Sequence, residues 1–379
     1  MSDAMLVPRL RFPEFKSNWV EKYGGYFFSS SREKGNSSLP IYSVTLNNGL
    51  VRRDSLKRHM AADAKPEDSL KALSNDLVYN MMRMWQGAVG LASEDCMVSP
   101  AYIVLRPRKN TNSFFFLNHF ARTRSLYYLW AYSYGLTSDR LRLYFKDFDK
   151  IHFVVPDILE QNKIANFLTA VDKRIEQLEK KKRLLTEYKK GVMQQIFSQQ
   201  IRFKDDNSNP YPDWEEKRLG DICTKASSSL SAASIEGNIG DYPVYGASGY
   251  IKSVDYYDAD KSYVAIVKDG AGVGRIQYCD ACSSALGTLD KLTPSKNINI
   301  TFLYSLLLRV NFVKYVAGST IPHIYFKDYA KENMKLPCKK EQQKIADFLT
   351  SIDHKIEQVA SQLAQAKAFK KGLLQQMFV

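Results

Sequence analysis

The chain has 379 residues, length for about two or three domains, and its 45% hydrophobic content supports real cores. Lysine and arginine number 54 against 40 aspartates and glutamates, and the resulting charge of +14 points toward a polyanionic partner, nucleic acid first. No apolar run approaches the ~20 residues of a membrane span. Met1-Ser2-Asp3-Ala4 lacks the basic start and apolar core of a secretory signal, and the 5 cysteines show no disulfide spacing, so a cytoplasmic location is expected.

In chain order, a leader Leu10-Arg11-Phe12-Pro13 with Trp19 downstream opens the first half. β-like runs follow at residues 40–45, 77–80 and 102–105, and an aromatic helical stretch at 114–121. Basic and polar residues cluster among them: Arg52 and Arg53 with Lys57, Arg58 and His59; Tyr79, Asn80, Arg83, Trp85 and Gln86; and Arg140 with Arg142. After Pro156 a long amphipathic helix begins. Its apolar positions Ile164, Leu168, Val171, Ile175, Leu178, Leu185, Val192 and Ile196 advance in steps of four and three, the pattern of a coiled-coil seam.

The second half repeats the plan. Ile201-Arg202-Phe203-Lys204 with Trp214 downstream resembles the first leader; β-like runs lie at 242–245 and 263–267, and a helical run at 301–315. Its polar cluster comprises Tyr245, Lys268, Arg275, Thr288, Ser319, Thr320 and His323. After Pro337 a second long helix carries Ile345, Leu349, Ile352, Ile356, Val359, Leu363, Ala366, Leu373 and Met377 at seam spacing.

The two long helices are near-copies. Glu160-Gln161-Asn162-Lys163-Ile164-Ala165-Asn166-Phe167-Leu168 returns as Glu341-Gln342-Gln343-Lys344-Ile345-Ala346-Asp347-Phe348-Leu349. The match runs on to Lys189-Lys190-Gly191 against Lys370-Lys371-Gly372, with about half the aligned positions identical. Lys182, Lys189 and Lys370 interrupt the seam, and Lys182 aligns with Leu363, so the helices are expected to pair with each other. About 38 residues at ~1.5 Å each make a helix ~57 Å long. The boundaries drawn are 1–157, 158–200, 201–337 and 338–379. The expected fold is mixed α/β (α+β): two globular domains separated by two long antiparallel coiled-coil helices, in a pseudo-two-fold circular arrangement. The interiors of the two domains share little sequence.

Catalytic motifs do not assemble. Asp269-Gly270-Ala271-Gly272-Val273-Gly274-Arg275 lacks phosphate-loop spacing, and strand-like Ile276-Gln277-Tyr278 follows it where a helix should start. It reads as a glycine turn that brings the backbone and Arg275 close to a partner. Cys279 and Cys282 form a lone C-x-x-C without a second pair of zinc ligands. Asn209-Pro210-Tyr211-Pro212 has the wrong order for an amino-methyltransferase loop. Asp213 stands too close to Glu215-Glu216-Lys217 for a nuclease core, and both segments read as turns. No catalytic, cofactor or metal residue is assigned, and the chain is expected not to be an enzyme by itself.

What remains is cations and amides interleaved with aromatics in both halves. Lys and Arg neutralise phosphates, whereas Arg, Asn and Gln read base edges. The DNA-contact candidates are Arg52, Arg53, Lys57, Arg58, Tyr79, Asn80, Arg83, Trp85, Gln86 and Arg140 in the first half, and Tyr245, Lys268, Arg275, Thr288, Ser319, Thr320 and His323 in the second. The competing reading is a coiled-coil adaptor that joins two protein partners without DNA specificity.

The leader Pro8-Arg9-Leu10-Arg11-Phe12-Pro13, the paired E-Q-x-K-I-A-x-F-L helices and their K-K-G-x-x-Q-Q ends resemble the specificity (S) subunit of type I restriction-modification enzymes over almost the whole chain. The resemblance implies two target recognition domains, each reading half of a bipartite asymmetric site on double-stranded DNA. It implies a helical spacer that docks two methyltransferase (M) subunits, for which Phe167 and Phe348 are the candidates. S-adenosylmethionine, ATP and Mg2+ would then belong to the M and restriction (R) subunits, which methylate adenine N6 or cleave.

Overall fold

A computed structural model describes residues 6–56, 67–137 and 139–379; Lys57, Arg58 and His59 lie outside them. The fold is mixed α/β, with two β-rich domains and two long helices, Ile158–Phe197 and Lys339–Gln376, packed against each other. The chain divides into two compact units, Met1–Glu179 with Ser361–Val379, and Lys180–Ala360. Each unit therefore holds the start of one long helix and the end of the other.

In the first unit a four-stranded antiparallel sheet runs Phe28–Ser31, Tyr102–Pro107, Leu77–Asn80, Val89–Leu91 across its width. Successive side chains of a strand face opposite sides of the sheet. Leu77, Tyr79, Ile103 and Leu105 accordingly join a core built on the helix Ser113–Phe120, while Val78, Tyr102 and Val104 join a second core beneath the hairpin Tyr42–Thr45/Gly49–Arg52. A short pair, Val20–Tyr23 with His152–Val155, lies next to the start of the first long helix.

The second unit repeats this construction although the sequences differ. Its sheet runs Cys223–Ser227, Leu289–Pro294, Tyr263–Val267, Ile276–Cys279. Val264 and Ile266 face one core, and Tyr263, Ala265 and Val267 the other. Tyr42–Thr45/Gly49–Arg52 has its counterpart in Tyr242–Gly246/Gly249–Val254, and Ser113–Phe120 in Ile300–Leu307. Each of these two helices is capped by an asparagine: Asn112 Oδ1 accepts from Phe115 N (2.9 Å) and Asn299 Oδ1 from Phe302 N (3.0 Å).

Two expectations change. Glu215–Arg218, read as part of a turn, is a strand paired with Asn333–Leu336, held by backbone bonds despite four exposed charged side chains. The run expected to be helical over 301–315 stops at Leu307. Asn311 then caps a separate 3-10 turn, Phe312–Tyr315, by accepting from Val313 N.

The repeated E-Q motif is a joint between helix and domain. Glu160 is buried and accepts two bonds from Arg11 of the leader (2.8 and 2.7 Å). Gln161 accepts from Asn112 N and donates to the Pro156 carbonyl, each at 3.0 Å. In the second unit Glu341 takes Arg202 (3.2 and 2.8 Å) and also the Trp214 indole N–H (3.1 Å), while Gln342 bonds Asn299 N and the Pro337 carbonyl. Phe12 meets Phe167 edge-on at 5.7 Å and Phe203 meets Phe348 at 5.6 Å. The two rings assigned to partner docking are thus half-buried beneath the leaders.

The seam positions divide between two environments. Ile164 and Leu168 enter the first core together with Leu373 and Met377 of the other long helix. Ile345, Leu349 and Ile352 enter the second core with Val192 and Ile196. Leu178 and Val359 are buried; Val171, Ile175, Leu185, Ile356 and Leu363 are half-buried. Two of the three seam lysines find carboxylates. Lys370 pairs with Asp172 at 2.6 Å and Lys189 with Asp353 at 2.5 Å, the same pair at repeated positions. In the first unit Lys367 meets Glu179 as Lys370 meets Asp172, so the helices run antiparallel there. Leu10 N donates to Gln376 O (2.9 Å) and Trp19 packs on Phe378, which brings the first leader to the end of the last helix.

Candidate nucleic-acid interface

In each unit three loops converge on one edge of the sheet, and most of the candidate residues sit on them. In the first unit the central strand Leu77–Asn80 turns through residues 81–88 into Val89–Leu91. Asn80 Oδ1 accepts from Met82 N (3.0 Å), Trp85 Nε1 donates to Met82 O (3.0 Å), and Gly87 ends the 3-10 turn Met84–Gln86 at φ 88°. A φ of this sign suits glycine and few other residues. These bonds fix the backbone, leaving Arg83 and Gln86 exposed and Trp85 half-buried.

The second loop returns beside the first. Tyr134 and Arg142 exchange backbone bonds, and Leu143 N donates to Met81 O (2.9 Å), which places exposed Arg140 near the 81–88 turn. The third is the hairpin around residues 46–49. Gly90 has no side chain because a Cβ there would lie 2.0 Å from Leu50 N. Arg52 ends this hairpin, half exposed and 3.3 Å from Asp54, and Arg53 opens the next turn, its N–H bonded to Ile41 O.

The second unit builds the same edge from different residues. Tyr263–Val267 turns through 268–275 into Ile276–Cys279, and Gly274 N bonds Val267 O at 2.8 Å. Gly270, Gly272 and Gly274 all have positive φ, so this turn is shaped by backbone where its counterpart is shaped by side chains. Ile324 N donates to Lys268 O (2.9 Å), and Ala317 and His323 exchange bonds, as Leu143, Met81, Tyr134 and Arg142 do in the first unit. Arg275 Nη1 donates to Ala247 O (3.0 Å) and Gln277 Nε2 to Gly246 O (2.8 Å), fastening the Tyr242–Gly246 hairpin to the turn.

The electrostatics of this edge centre on Asp290, which is buried. It accepts from Ser227 Oγ at 2.8 Å and lies 3.6 Å from Lys268 Nζ and 3.8 Å from Lys225 Nζ. Thr288 is exposed and its carbonyl accepts Lys268 N. Ser319 and Thr320 are exposed; His323 is half-buried, 4.9 Å from the Tyr325 ring. Tyr245 is half-buried, and burial pushes its hydroxyl above the usual tyrosine range.

Tyr79 does not belong to this surface. It is fully buried, with its hydroxyl 3.3 Å from Leu143 O and pushed upward by desolvation, because it shares an inward face with Leu77. The structure adds residues that sequence reasoning missed: exposed Asn47 and Asn48 at one hairpin tip and Ser248 at the other. Asn48-Gly49 between apolar runs is a hairpin signal that could have located the first of them. Cys279 of the C-x-x-C is a core residue whose thiol is pushed up to about 12 by burial.

The chain matches the type I restriction modification DNA specificity domain twice, over residues 19–187 and 211–368. It is 25% identical over 196 residues to the type I restriction enzyme MjaVIII specificity subunit of Methanocaldococcus jannaschii. That match takes in 48% of this chain and 46% of the relative, so it spans about half the length of that curated protein. The fold is similar to the S subunit of a type I restriction-modification system from M. genitalium, with TM-score 0.66, 17% identity, and 98% and 99% of the two chains covered. It is similar also to a chain from a structure of complex assembly and conformational transition of the type I R-M system, with TM-score 0.52, 17% identity, and 95% and 97% covered. With the domain present twice and covering most of its length, the chain belongs to the family of type I restriction modification DNA specificity domains.

Proposed function

We propose that this chain is the DNA-specificity subunit of a type I restriction-modification enzyme and is not itself catalytic. Each unit reads one half of a bipartite, asymmetric double-stranded site. In the first unit the contacts come from Arg52, Arg53, Asn80, Arg83, Trp85, Gln86 and Arg140. In the second they come from Tyr245, Lys268, Arg275, Thr288, Ser319, Thr320 and His323. Lys57 and Arg58 remain candidates by sequence only. One observation carries the reading: the two three-loop edges are built alike in backbone and differ in side chains. One reader used twice, with two different texts, is what an asymmetric site requires.

The long helices set the gap between half-sites and dock two M subunits, with Phe167 and Phe348 at the margin of that surface. R subunits complete the assembly, and S-adenosylmethionine, ATP and Mg2+ act there rather than on this chain. Phosphate contacts release counterions, so affinity for the specific site falls steeply with salt. Each bidentate base contact discriminates by about 1–3 kcal/mol. The test is salt-dependent binding of the chain assembled with its M subunits. Paired substitution Arg83→Ala with Gln86→Ala should relax one half-site, and Arg275→Ala the other. Affinity that ignores both salt and these changes would favour a protein adaptor.

A further inference from the structure

We infer that the first unit makes an additional, sequence-independent contact with duplex DNA through the helix Thr123–Ala131, and that the second unit lacks it. The inference rests on the reading above. Three features of the helix carry it.

Continuity with the reading edge comes first. Leu126 sits against Gly87, the residue that closes the 81–88 turn, since a Cβ on Gly87 would lie 3.3 Å from Leu126 Cδ2. Residues four apart share a helix face, so Trp130 continues the Leu126 row by one turn. Tyr127 stands beside Trp130, with ring centroids 5.9 Å apart. Both are open to solvent, Tyr127 by 60% and Trp130 by 48%.

Charge comes second. Arg124 on this helix and Arg142 on the following loop are exposed and, among the described residues, have no carboxylate partner. Tyr hydroxyls and guanidinium groups both donate to phosphate oxygens without reading sequence. A face of two large aromatic rings flanked by unpaired cations therefore fits the sugar-phosphate backbone beside the bases that Arg83 and Gln86 reach.

The second unit supplies the contrast. Its corresponding connection, residues 308–316, forms only the turn Phe312–Tyr315. There Lys314 and the Tyr315 hydroxyl are both taken by Glu332. Its other cation, Arg309, lies over the Phe197 ring, 5.2 Å from the centroid, whereas Arg124 and Arg142 of the first unit are left open.

The test uses the full chain assembled with its M subunits and duplexes of increasing length on the first half-site's flank. Arg124→Ala with Arg142→Ala should lower the slope of log affinity against log salt by about 1.8, two contacts at about 0.9 each, without changing the methylated sequence. The corresponding lysine double variant should retain the slope. Tyr127→Ala with Trp130→Ala should weaken binding and abolish the gain from longer flanking DNA. An unchanged slope, while Arg83→Ala with Gln86→Ala still relaxes the half-site, would overturn this inference and leave the general reading intact. Loss of M-subunit assembly at unchanged DNA affinity per complex would overturn it too, because the face would then be a protein-docking surface. If neither set of substitutions affected DNA, the reading of the unit itself would fail.

Discussion

The two units are nearly identical where they meet the long helices and unlike where they face outward. At the joints, Arg11–Glu160 and Arg202–Glu341, Asn112–Gln161 and Asn299–Gln342, and Phe12–Phe167 and Phe203–Phe348 repeat almost atom for atom. At the reading edge, a turn held by Asn80 and Trp85 stands where the other unit has three glycines with positive φ. A joint must fit one repeated helix, so its chemistry is held constant. Under the proposed function the two edges fit two different targets, so only their backbone plan is held.

Small departures from symmetry make the comparison testable. The largest expected effect is at the buried carboxylates. Arg11→Ala leaves Glu160 without a side-chain partner, and breaking a buried pair in this way costs about 3–5 kcal/mol. Arg202→Ala should cost less, because the Trp214 indole N–H still bonds Glu341, whereas the equivalent Trp19 N–H is buried and bonds nothing among the described residues. Urea midpoints of the two variants check the order; equal losses would mean the joints are equivalent after all.

Next in size is acid sensitivity. His119 is buried in the first unit, and desolvation, helped by nearby Arg122, lowers its pKa from 6.5 to about 3. The matching position in the second unit, counted from the capping asparagines, is Leu306. Between pH 6.5 and 3 the unfolded chain binds a proton that the native imidazole does not, so stability falls as pH drops through that window. From pH 7 to 5 the first unit should lose about 2 kcal/mol, at up to about 1.4 kcal/mol per pH unit. Hydrogen exchange should show it opening before the second unit at pH 5, and His119→Gln should remove the difference. Simultaneous opening in the wild-type chain would count against a neutral buried imidazole.

The smallest effect separates the turns. Gly274 has φ +81°, and a Cβ there would lie 2.7 Å from Phe312 Cβ; at Gly87 the nearest atom is the terminal Leu126 Cδ2 at 3.3 Å. Gly274→Ala should strain the second turn by about 1–3 kcal/mol and weaken recognition of one half-site. Gly87→Ala should weaken the other half-site less. Melting temperature and half-site binding together report both.

Much of this was legible in the sequence. The helix repeat, the leaders and the central strands announced themselves through spacing, because packed helices and buried strands demand periodicity. Tyr79 was misplaced because its polar neighbours outweighed the two-residue alternation that puts it with Leu77. Glu215–Arg218 hid its strand because backbone pairing alone holds it. The likeness of the two reading edges was invisible because it lies in hydrogen bonds such as Leu143 N to Met81 O and Ile324 N to Lys268 O, which leave no mark on side-chain identity.

The most direct test of the two-reader account is the methylated sequence itself. Genomic DNA from cells expressing this chain with its methyltransferase partner should carry methyl groups within two short tracts separated by a fixed gap. Replacing residues 268–275 should change one tract and leave the other and the gap intact. A single continuous tract, or a change in both tracts at once, would contradict it.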